Sequence, residues 1–244
     1  MNDFTRNELF DIAKSLKIEK YTTFSKQELI NAISKQLSMK KEDESYKRIS
    51  KNKYKTQEQL GNTGKDAKTY RVTDKFGNEY AMKVFKKTKS GKKISEEVAL
   101  QKVCSNADIS PKIIDYDTEN KFIVMEKMDG HIFDVIHKQY GIITEDQQKQ
   151  VIRLFKTLDK IHVFHGDANL MNYMYRGSKL YIIDFGYGKE IDDAQIKKLG
   201  TSTPNMEIML LGFVMKLKDM RCPSESYSYL VKFLSPEKRS TYNL

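Results

Sequence analysis

The feature that most constrains the fold is an ordered set of polar residues: His165-Gly166-Asp167, then Asn172, then Asp184-Phe185-Gly186. The segment NYMYRGSKLYII lies between the amide and the second carboxylate, and Arg-Gly-Ser interrupts its two short apolar runs. This pattern predicts a β-hairpin, because a short Gly-containing turn between apolar runs folds two strands back on each other. The hairpin would bring Asn172 and Asp184 side by side on the floor of a cleft.

The residue types of this set indicate a chemistry. Transfer of a phosphoryl group from a nucleotide requires a carboxylate that orients and deprotonates the acceptor. It also requires an amide and a second carboxylate that hold Mg²⁺ against the phosphates. Asp167, Asn172 and Asp184 supply these three groups in that order, which is far more specific than an isolated Asp-Phe-Gly.

A strand-like segment upstream, Tyr80–Phe85, carries a complementary lysine. Ala81 and Lys83 share one face of this strand at the period of two residues. A small residue beside a lysine suits a wall that packs against adenine and neutralises phosphate charge. The segment therefore predicts the other half of a nucleotide site.

A helical segment with two adjacent carboxylates, Glu96 and Glu97, follows this strand, and one of them could pair with Lys83. Adjacent residues are about 100° apart on a helix, so both cannot face the cleft. An apolar stripe on the same helix favours Glu96; it comprises Ala99, Leu100, Val103 and Ala107.

Residues from about 54 to 244 resemble the protein kinase-like fold. Lys83 matches the lysine of the third strand, and Phe122–Met128 matches the fifth strand and hinge. In kinases a valine commonly follows the pairing glutamate, so Val98 favours Glu97, and the choice between the two glutamates stays open.

The resemblance implies ATP and Mg²⁺ as cofactors and assigns roles to individual residues. Asp167 would be the catalytic base, acting with Lys83 and Asn172, while Asn172 and Asp184 would bind the metal. The nucleotide would contact a glycine-rich loop, the strand lysine and its glutamate, and the hinge; these residues are Gly61, Gly64, Ala81, Lys83, Glu96 or Glu97, Glu126, Met128 and Asp184, with Met125 as gatekeeper. The third glycine of the loop is missing, and Ala67 and Lys68 stand near its place.

The departures from the common kinase pattern point to one branch. The usual H-R-D-L-K-P-x-N reads HGDANLMN, so Gly166 replaces an arginine that pairs with a phosphorylated activation loop, and Asn169 replaces the catalytic-loop lysine. Only 60 of the 244 residues follow Asp184. These features resemble the atypical kinases: RIO kinases, the kinase subunit of the KEOPS tRNA-modification complex, and aminoglycoside or choline phosphotransferases. We expect an α+β, bilobal fold with a shortened C-lobe and activity without activation-loop phosphorylation.

Residues 1–38 predict a separate small all-α module. Thr5 with Glu8, and Ser25 with Glu28, form capping-box patterns at the starts of two short amphipathic helices. Two such helices joined by an extended link resemble SAP domains and the N-terminal motif of transcription terminator Rho. Relatives of this kind bind DNA, RNA or proteins, so the module could bind a nucleic acid or a protein partner. A charged linker, 39–53, would connect it to the kinase-like domain, 54–244, with an N-lobe at 54–128 and a C-lobe at 129–244.

Composition limits the setting of the protein. The net charge is +10, and the segment 83–93 contains six lysines and no acid, so it could be a docking patch for RNA, DNA or an acidic protein, or a solvated turn. The sequence contains no stretch of 18 apolar residues, so it predicts no membrane-spanning helix. Two cysteines are too few for a disulfide scaffold and favour an intracellular protein of the cytoplasm or nucleus. A compact kinase with such a leader also resembles proteins of large DNA viruses, which would place it in a host cell or virion.

These observations predict an ATP- and Mg²⁺-dependent phosphotransferase. An atypical serine/threonine protein kinase is favoured, because so short a chain has no evident insertion that would enclose a small molecule. One alternative is a small-molecule phosphotransferase of the aminoglycoside or choline type. Another is a catalytically weak kinase-like scaffold that binds nucleic acid through residues 1–38.

Overall fold

The computed structural model of the chain describes residues 5–49 and 53–244. The chain divides into two compact units at Thr56 and Gln57. Within the described ranges, no helix combines the length and apolar character needed to cross a bilayer.

The first unit is built on two helices, α1 (Arg6–Ser15) and α2 (Lys26–Ile49). Both predicted capping boxes are confirmed. The Thr5 hydroxyl accepts from the Glu8 amide while Glu8 accepts from the Thr5 amide, and Ser25 and Glu28 repeat the arrangement. Each box satisfies amide donors that a helix start leaves without intrahelical partners.

The two helices of this unit share a small apolar core. Its buried members are Leu9, Ala13, Leu16, Leu29 and Ile33. The link that was predicted to be extended contains a 3₁₀ turn at Tyr21–Thr23. Helix α2 continues through Ile49, so the backbone of most of the predicted charged linker is helical. The domain boundaries drawn from the sequence stay predictions.

A five-stranded sheet and one helix come next, and the first strand of the sheet spans the boundary between the two units. The strands are β1 (Tyr54–Leu60), β2 (Ala67–Asp74), β3 (Glu79–Phe85), β4 (Ile113–Asp117) and β5 (Phe122–Glu126), in the order β1-β2-β3-β5-β4. Helix α3 (Gly91–Asn106) packs Ile94 and Val98 into the apolar cluster that contains Ala81, Ile123 and Met125. The turn between β2 and β3 is held by the Asp74 carboxylate, which accepts from the amides of Phe76 and Asn78.

The rest of the second unit is mainly helical. Its elements are β6 (Gly130–His131), α4 (Ile132–Lys138), α5 (Glu145–Lys160), β7 (Val163–Phe164), β8 (Tyr173–Arg176), β9 (Lys179–Ile182), β10 (Lys189–Glu190), α6 (Asp193–Leu199), a π-helical turn (Asn205–Met209), α7 (Leu210–Asp219), α8 (Ser228–Val231) and α9 (Pro236–Thr241). Strands β8 and β9 form the predicted hairpin.

A single apolar core holds these helices together. Phe155 of α5, Phe213 of α7 and Tyr173 of β8 contact one another edge to face and are fully buried. The predicted α+β class, with a sheet-rich lobe followed by a helical lobe, is confirmed.

Candidate active site

The centre of the site is an ammonium group between two carboxylates. The Lys83 ammonium nitrogen on β3 lies 2.6 Å from Glu97 Oε1 and 2.8 Å from Asp184 Oδ1. Glu97 comes from α3 and Asp184 from the segment after β9, so these contacts join three elements that are far apart in sequence. The Glu97 side chain is 2% exposed, and the Asp184 side chain is 46% exposed. The inner carboxylate thus fixes the lysine, while the outer one faces solvent.

The choice between the two glutamates is decided by which face of α3 is buried. The buried residues are Ile94, Glu97, Val98, Gln101 and Cys104, whereas Glu96 is exposed. The apolar stripe that favoured Glu96 does not form the buried face, and Val103 is 44% exposed. Of the two glutamates between which the sequence left the choice open, Glu97 is therefore the one that pairs with Lys83, and Glu96 lies on the exposed face.

The charges of this cluster shift one another's ionisation. Burial alone would lower the pKa of Lys83, but the attraction of Glu97 and Asp184 outweighs it and the pKa is raised. Burial also opposes the charged form of Asp184, yet the nearby Lys83 ammonium holds its pKa below 3.8. The lysine is therefore cationic at neutral pH.

The loop after β7 orients the carboxylate of Asp167. Asp167 Oδ2 accepts a hydrogen bond from the Asn172 side-chain amide at 2.9 Å, and its Oδ1 accepts from the Asn169 backbone amide at 3.0 Å. The Asn169 side chain in turn accepts from the Met171 amide and caps the 3₁₀ turn Leu170–Asn172. The residue that replaces the usual catalytic lysine is thus committed to holding the loop.

A buried histidine ties the two carboxylate loops together. His165 is fully buried; its Nδ1 lies 3.1 Å from the Asp167 carbonyl oxygen and its Nε2 lies 2.9 Å from the Ile183 carbonyl oxygen. Burial lowers the pKa of this imidazole. The Ile183 amide donates to the Asn172 carbonyl at 2.9 Å, so the backbones of Asn172 and of the residue before Asp184 are directly bonded. The predicted hairpin therefore brings these two segments together.

A polar network beneath the loop was missed by sequence reasoning. Asp159 of α5 accepts from the backbone and side-chain amides of Asn205 at 2.9 and 2.7 Å. Asn205 also donates to the Val163 carbonyl at 2.8 Å and accepts from the His165 amide at 3.1 Å. Asn205 is fully buried and opens the π-helical turn before α7. The signal in the sequence was slight: a single asparagine after Pro204, at the start of a mostly apolar segment.

The glycine of His165-Gly166-Asp167 is required by geometry. Gly166 has φ +76, and a Cβ placed on it would lie 2.9 Å from the Tyr187 carbonyl oxygen. Strand β10 pairs with β7, and the Ile191 amide donates to the His162 carbonyl at 2.8 Å. These contacts hold the chain after Gly186 against the catalytic loop and the strand before it.

The predicted nucleotide-facing residues lie on the strands and loops around this centre. Gly61 has φ +66, and the Gly64 amide donates to the Ala67 carbonyl at 3.0 Å, which closes the loop between β1 and β2. Ala81 is paired in register with Met125. The Glu126 carboxylate binds Arg176 at 2.8 Å, and the Glu126 amide donates to the Lys112 carbonyl at 3.0 Å. Met128, the other predicted hinge contact, is 8% exposed.

The lysine-rich segment 83–93 divides into inward and outward groups. Lys86 donates to the Lys65 carbonyl, and Lys89 is nearly buried beside Asp66 and Glu97. Lys86, Lys87, Lys92 and Lys93 are exposed, so only Lys83 and Lys89 of the six lysines are turned into the site. Whether the exposed lysines form a docking patch or a solvated turn stays a prediction.

Comparison with known proteins identifies both parts of the chain. Residues 54–206 match the protein kinase domain. Residues 3–42 match the N-terminal domain of Rho termination factor, in agreement with the resemblance of that segment.

Individual relatives match parts of the second unit. The chain is 30% identical over 97 residues to a probable bifunctional tRNA threonylcarbamoyladenosine biosynthesis protein of Methanobrevibacter smithii, covering 40% of this chain and 17% of that protein. It is 28% identical over 169 residues to death-associated protein kinase dapk-1 of Caenorhabditis elegans, covering 62% and 12%. It is 31% identical over 86 residues to KEOPS complex subunit Bud32 of Pyrococcus abyssi, covering 34% and 38%. The matched regions thus span well under half the length of these relatives.

Proposed function

Because this chain belongs to the protein kinase domain family, we propose that it is an atypical serine/threonine protein kinase that transfers the γ-phosphate of ATP to a protein hydroxyl. The observation that carries the proposal is that Lys83, Glu97 and Asp184 are in direct contact while Asp167 is oriented by Asn172. These are the groups that phosphoryl transfer requires, because its catalysis consists mainly of positioning and charge stabilisation.

The role of Lys83 follows from its fixed position. Glu97 holds the ammonium from inside, so its remaining donors can bind the α- and β-phosphate oxygens of the nucleotide. The contact with Asp184 would exchange for those oxygens, since Asp184 is half exposed and free to turn toward a cation.

The donor set fits Mg²⁺ when phosphates complete its shell. Asp184 and Asn172 offer a carboxylate and an amide oxygen, which are hard ligands of the kind that Mg²⁺ prefers. Among residues 5–49 and 53–244, no group of three or more His, Cys, Asp and Glu side chains could hold an ion alone. Mg²⁺ commonly binds through one or two protein ligands plus substrate phosphates, and when bound it neutralises charge on the β- and γ-oxygens.

Asp167 is the proposed general base. One of its carboxylate oxygens accepts from Asn172 and the other from the Asn169 amide, which fixes the plane of the carboxylate. An acceptor hydroxyl that donates to Asp167 would be aligned for attack and would lose its proton to it as the new bond forms.

A protein acceptor is favoured over a small molecule by two observations. A relative that is matched over 62% of this chain is named a protein kinase. The chain between Asp184 and α7 contains only the short β10, the seven-residue α6 and a π-helical turn, and none of these forms an enclosing insertion.

The test is transfer of labelled phosphate from ATP in the presence of Mg²⁺, comparing wild type with Asp167→Ala. The acceptors are the enzyme itself, a generic basic protein, a generic acidic protein, an aminoglycoside and choline. We expect label on serine or threonine of protein that disappears in Asp167→Ala. Label on the small molecules alone would replace the proposal with a small-molecule phosphotransferase. Absence of transfer to every acceptor would favour a scaffold.

We also propose that the first unit docks nucleic acid, on the strength of its match to the Rho N-terminal domain. Lys14, Lys17 and Lys20 are exposed on α1 and the link that follows it. Their replacement by glutamine should reduce the salt dependence of single-stranded RNA or DNA binding, with the log–log slope falling by about 2. The matched control replaces Lys92 and Lys93, which are exposed in the kinase domain. An unchanged slope in the first variant, or a larger effect of the control, would contradict this proposal.

A further inference from the structure

We propose that Lys89 is a second phosphate-binding cation, which acts beside Lys83 on the β- and γ-phosphates of the nucleotide. The inference rests on the proposed function, because it assumes that the site binds a nucleotide. It gives a role in this site to a lysine that no kinase motif marks.

Lys89 reaches the centre of the site from the loop between β3 and α3. Its ammonium nitrogen lies 3.4 Å from Asp66 Oδ2, beside the glycine-rich loop, and 3.9 Å from Glu97 Oε2. A Cβ placed on Gly186 would lie 3.6 Å from the same nitrogen. Lys83 and Lys89 also lie over the same ring, with their nitrogens 5.1 and 5.7 Å from the Phe85 centroid. The two ammonium groups therefore border one space, between the glycine-rich loop and Asp184-Phe185-Gly186.

The Lys89 ammonium is buried without a strong partner. The side chain is only 10% exposed, but its two carboxylate contacts are both long, and Asp66 is itself 51% exposed. Within the described part of the chain, Glu97 Oε2 accepts no hydrogen bond, so Lys89 lies near that oxygen without closing on it. An ammonium has three donors, and Lys89 uses one of them in a long contact with Asp66, so the desolvation of the cation is poorly compensated until an anion arrives. A phosphate oxygen is an anion of suitable charge and size for this position.

The loop that carries Lys89 is held in place, which favours a binding role over a mobile surface lysine. The Lys121 ammonium donates to the Lys89 carbonyl at 2.9 Å and also to the Lys87 carbonyl. The Lys89 amide donates to the Lys86 carbonyl at 3.0 Å. A fixed backbone with a flexible side chain lets the ammonium move by a small distance at low entropic cost.

The catalytic loop leaves room for a cation from another source. Asn169 stands where the usual pattern has a lysine, and its side chain caps the 3₁₀ turn through the Met171 amide. It brings no positive charge to the transferred phosphoryl group. Lys89 supplies a positive charge from the opposite lobe, near the outer end of the space that Lys83 borders.

The experiment measures equilibrium binding by calorimetry, without turnover. A non-hydrolysable ATP analogue, ADP and AMP are titrated with Mg²⁺ into the full chain, as wild type, Lys89→Met, Lys89→Arg and the exposed-lysine control Lys92→Met. Hydrogen bonds to charged groups contribute enough that Lys89→Met should weaken binding of the triphosphate and diphosphate about ten-fold or more. AMP binding should be unchanged, Lys89→Arg should retain part of the affinity, and Lys92→Met should match wild type.

Two outcomes overturn the inference while leaving the proposed function intact. In one, Lys89→Met binds the triphosphate as tightly as wild type. In the other, it loses AMP binding as strongly as triphosphate binding and its nucleotide-free unfolding midpoint falls, which assigns Lys89 a structural role. A wild type that binds none of the three nucleotides would instead overturn the proposed function itself, and this inference with it.

Discussion

The ammonium nitrogen of Lys83 lies 2.6 Å from Oε1 of Glu97, and the glutamate side chain is almost completely shielded from water. Breaking a buried ion pair by neutralising one partner costs about 3–5 kcal/mol, because the other charge stays buried. Lys83 keeps its contact with Asp184, so Glu97→Gln should lose about 3 kcal/mol of unfolding free energy, at the lower end of that range. Phosphotransfer should fall about 100-fold, since the lysine would no longer be held in register. Denaturant unfolding and steady-state kinetics measure the two effects.

The adjacent residue provides the control for this prediction. Glu96 is exposed on the same helix, so Glu96→Gln should change both quantities little. A larger effect from Glu96→Gln than from Glu97→Gln would mean that Lys83 pairs differently in solution.

Substitution of Gly166 should be much more costly than that of another glycine with a positive φ. Gly166→Ala adds about 1–2 kcal/mol of backbone strain at φ +76 and places a methyl group 2.9 Å from the Tyr187 carbonyl. Gly177→Ala has the same kind of strain at φ +59, with no atom within 4 Å of the new Cβ. We expect the Gly166 variant to lose about 1–3 kcal/mol more than the Gly177 variant in chemical denaturation. Equal losses would show that Tyr187 does not approach Gly166 in solution.

Removal of Asn205 should disconnect the catalytic loop from the helical lobe. Asn205→Ala leaves the His165 amide, the Val163 carbonyl and part of the Asp159 carboxylate without their partner. Each buried polar group left unsatisfied costs about 1–3 kcal/mol, so a loss of about 3 kcal/mol or more is expected. If Asn205 positions the loop, kcat should fall while the KM for ATP changes little.

A double-mutant cycle tests whether Asp159 acts through Asn205. Asp159→Asn and Asn205→Ala should be strongly non-additive, with a coupling energy of about 0.5–3 kcal/mol, because the two residues share one network. Additive losses would separate them.

The Lys83–Asp184 contact predicts a specific acid sensitivity. The pKa of Asp184 is held below 3.8 by Lys83, so the ionised carboxylate stabilises the fold above the unfolded-state pKa. That contribution is lost as the pH falls through the folded-state value, in the range below 3.8. Asp184→Asn removes the charge, and asparagine tolerates the φ of +65 at this position. The variant should be less stable than wild type at neutral pH, and the difference should shrink below pH 3.8, as followed by denaturant unfolding at several pH values. A difference that stays constant down to strong acid would contradict the prediction.

Local patterns in the sequence predicted the parts of the site that depend on a short stretch of chain. The capping boxes at Thr5 and Ser25 and the β8–β9 hairpin depend on neighbouring residues, and all are present. The polar set of the catalytic loop and Asp184 was likewise placed correctly on its elements, because order and spacing constrain it.

The errors came from contacts between distant segments. The buried face of α3 carries Glu97 and Gln101, since the Gln101 amide donates to the Pro111 carbonyl at 3.0 Å, and periodicity of apolar residues cannot detect a polar buried face. Lys89 is one of six lysines in its segment, and only the position of Glu97 relative to the β3–α3 loop sets it apart from the exposed ones. Asn205 is significant through four hydrogen bonds to two other segments, which the sequence around it does not indicate.

The chain after Gly186 is held in place by the approach of Tyr187 to Gly166 and by the pairing of β10 with β7. This has a consequence for the time course of the reaction that such an enzyme would catalyse. An enzyme whose corresponding segment must first be covalently modified depends on that earlier modification for its activity. Its progress curve therefore begins with a lag. A segment that is already paired in the folded chain would need no such step. Each molecule would be as active at its first turnover as at later ones. The reaction rate would then depend only on the concentrations of the enzyme and its substrates.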